Sequence, residues 1–83
     1  MGSLKYYRSK IDNIDKKISK LLLLRFNLAK KISKYKKSNK IKIIDRKREL
    51  QVIKNIKKHS KRHEKFMKNI FKSIISYSRR LQK

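Results

Sequence analysis

From Leu4 to Tyr35 an apolar side chain recurs every three or four residues, and nothing in that span can break a helix. The stripe is Leu4, Tyr7, Ile11, Ile14, Ile18, Leu21, Leu28, Ile32 and Tyr35. Alternating steps of three and four make the seam of an amphipathic helix. The chain has no Pro, and its single Gly is Gly2, so no breaker stops that helix early. A helix from about Leu4 to Lys37 is roughly 50 Å long. A compact globule of this size has a radius of gyration of only about 12 Å. Two shorter helices cannot cover the whole stripe, so the remainder is expected to pack on a second copy, most simply by two-fold symmetry. The expected fold is all-α: three helices, one very long, in an intertwined dimer whose folding and association are inseparable.

The rest of the chain supplies the other two helices. Ser38 to Ile44 loses the period and reads as a loop. Asp45 suits the N-cap of a second helix, from about Arg46 to Lys58, with Leu50, Ile53 and Ile56 as its apolar face. His59 to His63 is a polar connection. A third helix is expected from about Glu64 to Leu81, turning Met67, Ile70, Phe71, Ile74, Ile75 and Leu81 inward. Met1-Gly2-Ser3 reads as an expression remnant ahead of one helical domain over residues 4–83. The longest purely apolar run, Leu21 to Leu24, is too short for a membrane span or a secretory signal. A cytoplasmic protein with no membrane partner is therefore expected.

Charge is the largest bulk feature. Lys and Arg number 28 against five acids, a formal net charge of +23. That balance suits a nucleic acid or an anionic surface. The plainer explanation is that lysines coat solvated helix faces, because most fall opposite the apolar stripe. The absence of Cys rules out disulfides and thiol chemistry. His59 and His63 are four apart, but in a connection with no third ligand type nearby, so no metal site is expected there.

The polar residues on the inner faces say more than the surface lysines. Arg25 occupies a seam position where a leucine belongs. A guanidinium keeps its charge in the interior and needs an anion there. No acid lies within a helical turn or two of it, so the missing anion suits a ligand. Arg8, Asp15, Leu22, Ala29 and Lys36 share the position flanking the seam. Lys36 lies about 16 Å beyond Arg25 on the helix axis and Arg8 about 25 Å before it. Arg8 can hardly grip the same small molecule as Arg25 of its own chain, but in an antiparallel pair it reaches the Arg25 region of the other chain. Glu49 precedes Ile53 and Ile56 by four and seven residues and so points inward, with Arg48 its neighbour and Asp45 one turn back. Ser78 and Gln82 continue the face of Ile74 and Ile75. Each has a plainer explanation taken alone. Arg25 could snorkel outward, Arg8 and Lys36 could be solvated, and Asp45 could be only a cap. Glu49 could pair on the surface, and Ser78 and Gln82 could fray.

Together the set resembles the all-α, type II chorismate mutases. The string is Arg8, then Ile11-Asp12-x-Ile14-Asp15, then Leu21-Leu22-x-x-Arg25-x-x-Leu28-Ala29-x-x-Ile32 and Lys36. It continues through Ile44-Asp45-x-x-Arg48-Glu49-x-x-Val52 to Ile74-Ile75-x-x-Ser78-x-x-x-Gln82. Single pieces are weak, but the ordered set is specific and covers about residues 5 to 82. The resemblance implies an isomerase that rearranges chorismate to prephenate by a Claisen shift. It implies that Arg25, Arg48 and Arg8 of the other subunit clamp the substrate's two carboxylates. Lys36 and Gln82 would donate to the ether oxygen, and Glu49 would bind the ring hydroxyl with the Asp45 backbone nearby. Ser78 would line the carboxylate end. Two identical sites, shared between the subunits of a homodimer, would follow.

The chemistry of these residues agrees. A pericyclic shift needs no nucleophile, cofactor or metal, and none is expected. It needs a compact conformer of a flexible dianion and fixed positive charge where an oxygen turns negative. Some features depart from the family pattern. Ser33 and Asn39 stand where glycine is common, the second connection is short, and the charge is extreme. Two alternatives stay open: a basic helical protein that coats nucleic acid, and an inactive helical scaffold of the same fold.

Overall fold

The computed structural model describes residues 3–82. It contains helix α1 (Leu4–Ser38), helix α2 (Arg46–Lys58), a single 3-10 turn (Lys61–His63) and helix α3 (Glu64–Leu81). Among the described residues there is no strand. None of these helices is long and apolar enough to cross a membrane. The molecule is elongated, 58 × 25 × 15 Å, with a radius of gyration of 16.3 Å. That exceeds the roughly 12 Å of a globule this size, because α1 outruns everything packed on it.

The starts of α1 and α2 each have a local cause. The Ser3 hydroxyl accepts a hydrogen bond from the Tyr6 amide at 3.2 Å, so Ser3 is the N-cap of α1. Met1 and Gly2, the rest of the expected remnant, lie outside the described residues. At the far end the Ile41 amide donates to the Lys36 carbonyl (2.8 Å) and the Lys40 amide to the Lys37 carbonyl (3.3 Å). This double closure requires a left-handed residue between them, and Lys40 supplies it with φ 55. The glycine-like position is thus Lys40, and Asn39 keeps a negative φ of −106. Asp45 caps α2, its Oδ1 accepting from the Arg48 amide at 3.0 Å.

The core is small and sits at one end. The buried apolar side chains among the described residues are Ala29, Ile74 and Ile75. Helix α3 packs on both α2 and α1. The buried or half-buried residues of α1 are Leu22, Arg25, Phe26, Ala29, Ser33 and Lys36, and of these Arg25, Phe26, Ala29 and Ser33 touch α3 or its cap residue. Phe26 meets Tyr77 edge-on at 4.9 Å. This face is the flank of the apolar seam, not the seam itself. Leu21 and Tyr35 are each 65% exposed and Leu28 is 57%. Arg25 alone of the seam positions is half-buried, and residues 4–21 are exposed throughout.

Candidate active site

The C-terminal half of α1, the start of α2 and the end of α3 border a half-open cavity of about 270 Å³. Its apolar walls are Leu28, Ala29, Ile32, Ile43, Val52 and Ile75. Its polar lining draws Arg25 and Lys36 from α1, Asp45, Arg48 and Glu49 from the start of α2, and Ser78, Arg79 and Gln82 from the end of α3. Four cationic side chains thus face two carboxylates, a surplus of two positive charges. The arrangement follows from the local sequence. Ala29 leaves room one turn beyond Arg25, and the Asp45 cap starts α2 so that Arg48 and Glu49 fall in its first turn.

Arg25 is not directed to bulk water. Its Nη1 donates to the Ser78 hydroxyl at 3.0 Å, and that hydroxyl donates to the Ile74 carbonyl at 2.8 Å. Burial, and then the nearby charge of Arg48, lower the guanidinium's pKa from its ordinary value. Half-buried Arg25, bonded to a neutral hydroxyl and close to the charge of exposed Arg48, favours an incoming anion. Lys36 donates through Nζ to the Ile43 carbonyl at 2.9 Å, which ties it to the loop after α1. Arg48 donates to the Gln51 side chain at 3.0 Å.

Gln82 is held from both ends. Its Nε2 donates to the Ala29 carbonyl at 3.2 Å, and its backbone carbonyl accepts from the Ser33 hydroxyl at 2.9 Å. Glu49 is paired. Arg79 Nε donates to its Oε2 at 2.7 Å, and Arg79 Nη2 donates to its Oε1. That hydrogen bonding holds the Glu49 carboxyl below the usual carboxylate range against the opposing effect of burial. The same bond raises the pKa of Arg79.

Seven of the eight residues singled out from the sequence therefore line one cavity: Arg25, Lys36, Asp45, Arg48, Glu49, Ser78 and Gln82. Asp45 both caps α2 and lines the site. Arg8 does not join them. It borders a shallow recess with Leu4, Lys5, Ser9 and Asp12, near the start of α1. Sequence reasoning missed Arg79 and the role of Ser33. Arg79 lies four residues after Ile75, a spacing that places it beside an inward residue.

A sequence model of the family described as chorismate mutase type II matches residues 7–83. A chorismate mutase of Methanocaldococcus jannaschii is 39% identical over 79 residues, covering 92% of this chain and 80% of that protein. No solved structure matches. With a family match across nearly the whole chain, the protein belongs to the type II chorismate mutases.

Proposed function

We propose that this cavity binds chorismate and converts it to prephenate by holding the dianion in a compact conformer inside a fixed positive field. In the rearrangement the ether carbon–oxygen bond breaks as a carbon–carbon bond forms, with electrons moving around one six-membered ring. Arg25 and Arg48 grip the substrate's carboxylates, with Ser78 bracing Arg25. Lys36 and the free hydrogen on the Gln82 amide face the ether oxygen, which gains negative charge as its bond breaks. Glu49 accepts from the ring hydroxyl, beside Asp45. The observation that carries this reading is the convergence of these side chains from three helices on one cavity, with a surplus of two positive charges.

A second chain completes the site in this reading. Arg8 is about 25 Å from Arg25 along α1 and is exposed, so it serves a site only by crossing to another molecule. The exposed seam offers the surface for that crossing. Leu4, Tyr7, Ile11, Ile14, Ile18, Leu21, Leu28, Ile32 and Tyr35 all remain open to solvent in one chain, and antiparallel pairing of two α1 helices covers them.

The deciding experiment follows the loss of chorismate absorbance with purified protein at moderate salt. Saturable turnover that disappears in Arg25→Ala supports the reading. Salt-sensitive DNA binding without turnover selects the nucleic-acid alternative. A folded protein with neither selects the inactive scaffold.

A further inference from the structure

We propose that Arg79 is a positioning residue for this reaction: its guanidinium, forked onto Glu49 across the α2–α3 junction, holds that carboxylate ionised and oriented to accept the substrate's ring hydroxyl. The proposal rests on reading the cavity as a chorismate site. Two parallel contacts, Nε to Oε2 at 2.7 Å and Nη2 to Oε1, fix the plane of a carboxylate in a way a single contact cannot. Each oxygen keeps a lone pair for a further donor. Both side chains line the cavity, and Arg79 sits at its edge, half-exposed.

Other charges surround Glu49, and none replaces Arg79. On α2 it is flanked by Asp45, Arg46 and Arg48, and from α3 Lys72 shares the recess behind it. Arg25 and Lys36 of α1 line the cavity in front. The hydrogen bonding from Arg79 is the largest influence holding Glu49 ionised. Burial opposes it, the charges of Arg79 and Arg46 add smaller support, and the negative charge of Asp45 opposes it more weakly than burial does. Without Arg79 the largest stabiliser is gone while burial remains, so the carboxyl's pKa rises. Protonation removes an acceptor site where the ring hydroxyl must donate.

The test compares the wild-type chain with Arg79→Gln, which keeps length and a donor, and Arg79→Lys, which keeps charge without the fork. Two readouts are taken: the pH profile of kcat/KM for chorismate, and the Glu49 carboxyl carbon titration by NMR. In Arg79→Gln the Glu49 titration and the acid limb of the profile both move to higher pH. KM rises about tenfold, the scale of one hydrogen bond to a charged group. The turnover number changes less, because the hydroxyl is bound alike before and during the bond shift. Arg79→Lys recovers part of each shift. A Glu49 resonance that stays in place, or an acid limb that stays while activity falls equally at every pH, overturns the proposal. A wild-type chain that does not turn over chorismate sinks instead the reading of the reaction on which it depends.

Discussion

Ser33 is 4% exposed, and its hydroxyl ends on the carbonyl of Gln82. Ser33 is thus a strap between α1 and the end of α3. Ser33→Ala leaves that carbonyl without its donor and costs roughly 1 kcal/mol of stability, readable as a lower denaturation midpoint. In the proposed mechanism it also loosens Gln82, so the turnover number falls with little change in KM, because the ether-oxygen contact strengthens only as the bond breaks. Arg25→Ala and Lys36→Ala should each lower turnover at least about a hundredfold, or on the order of 3 kcal/mol in the barrier. Circular dichroism of both variants should stay helical. Either variant remaining near full activity would remove its residue from the mechanism. Arg25 was legible in the sequence because a charge in an apolar seam is an anomaly on its own helix. Arg79 was not, because its partner Glu49 sits 30 residues away on another helix. Ser33 was visible only as a missing glycine, and its acceptor exists only once α3 is docked.

Among the elements, the closure of α1 carries a measurable strain. Lys40 holds φ 55, a region that costs an L-residue roughly 1–2 kcal/mol. Its side chain is exposed, so Lys40→Gly removes that cost and little else. Allowing for the greater freedom of glycine when unfolded, the variant should gain about 0.5–1 kcal/mol, seen as a higher midpoint in urea. The tie between α2 and α3 has a pH signature. Glu49 titrates below its ordinary value, so its contribution is complete above about pH 4.3, the unfolded glutamate value. It is lost as pH falls through the lower folded value. The denaturation midpoint should drop across that acid range in the wild type and less in Glu49→Gln. Periodicity marked where helices run, because a breaker-free chain with an apolar face has few alternatives. It did not mark which face of α1 the other helices meet. That contact rests on Ala29 and Ser33, whose small side chains permit close approach but carry almost no hydrophobic signal.

At the scale of the whole molecule, one chain is short of a core. Among the described residues its buried apolar set is three modest side chains at one end, less than a chain of this length needs to stand alone. The proposed pairing supplies the rest and has a sharp test. Arg8→Ala and Arg25→Ala should each be nearly inactive. A mixed dimer regenerates one intact site, with Arg8 from one parent and Arg25 from the other. Refolding equal amounts together should therefore restore roughly a quarter of wild-type activity. Failure of the mixture to recover activity would refute a shared site. The +23 charge opposes association through self-repulsion, so moderate salt should strengthen the dimer by screening. Sedimentation across a salt series measures this. The seam and the charge were both plain in the sequence, whereas their balance is a matter of distances between two bodies that no single-chain pattern encodes.

Residues 4–21 find no cover in their own chain. On the proposed pairing, a newly made copy is silent until it meets another. While copies are scarce, catalytic output then scales with the square of their number, and a cell that halves its supply loses about three-quarters of the flux.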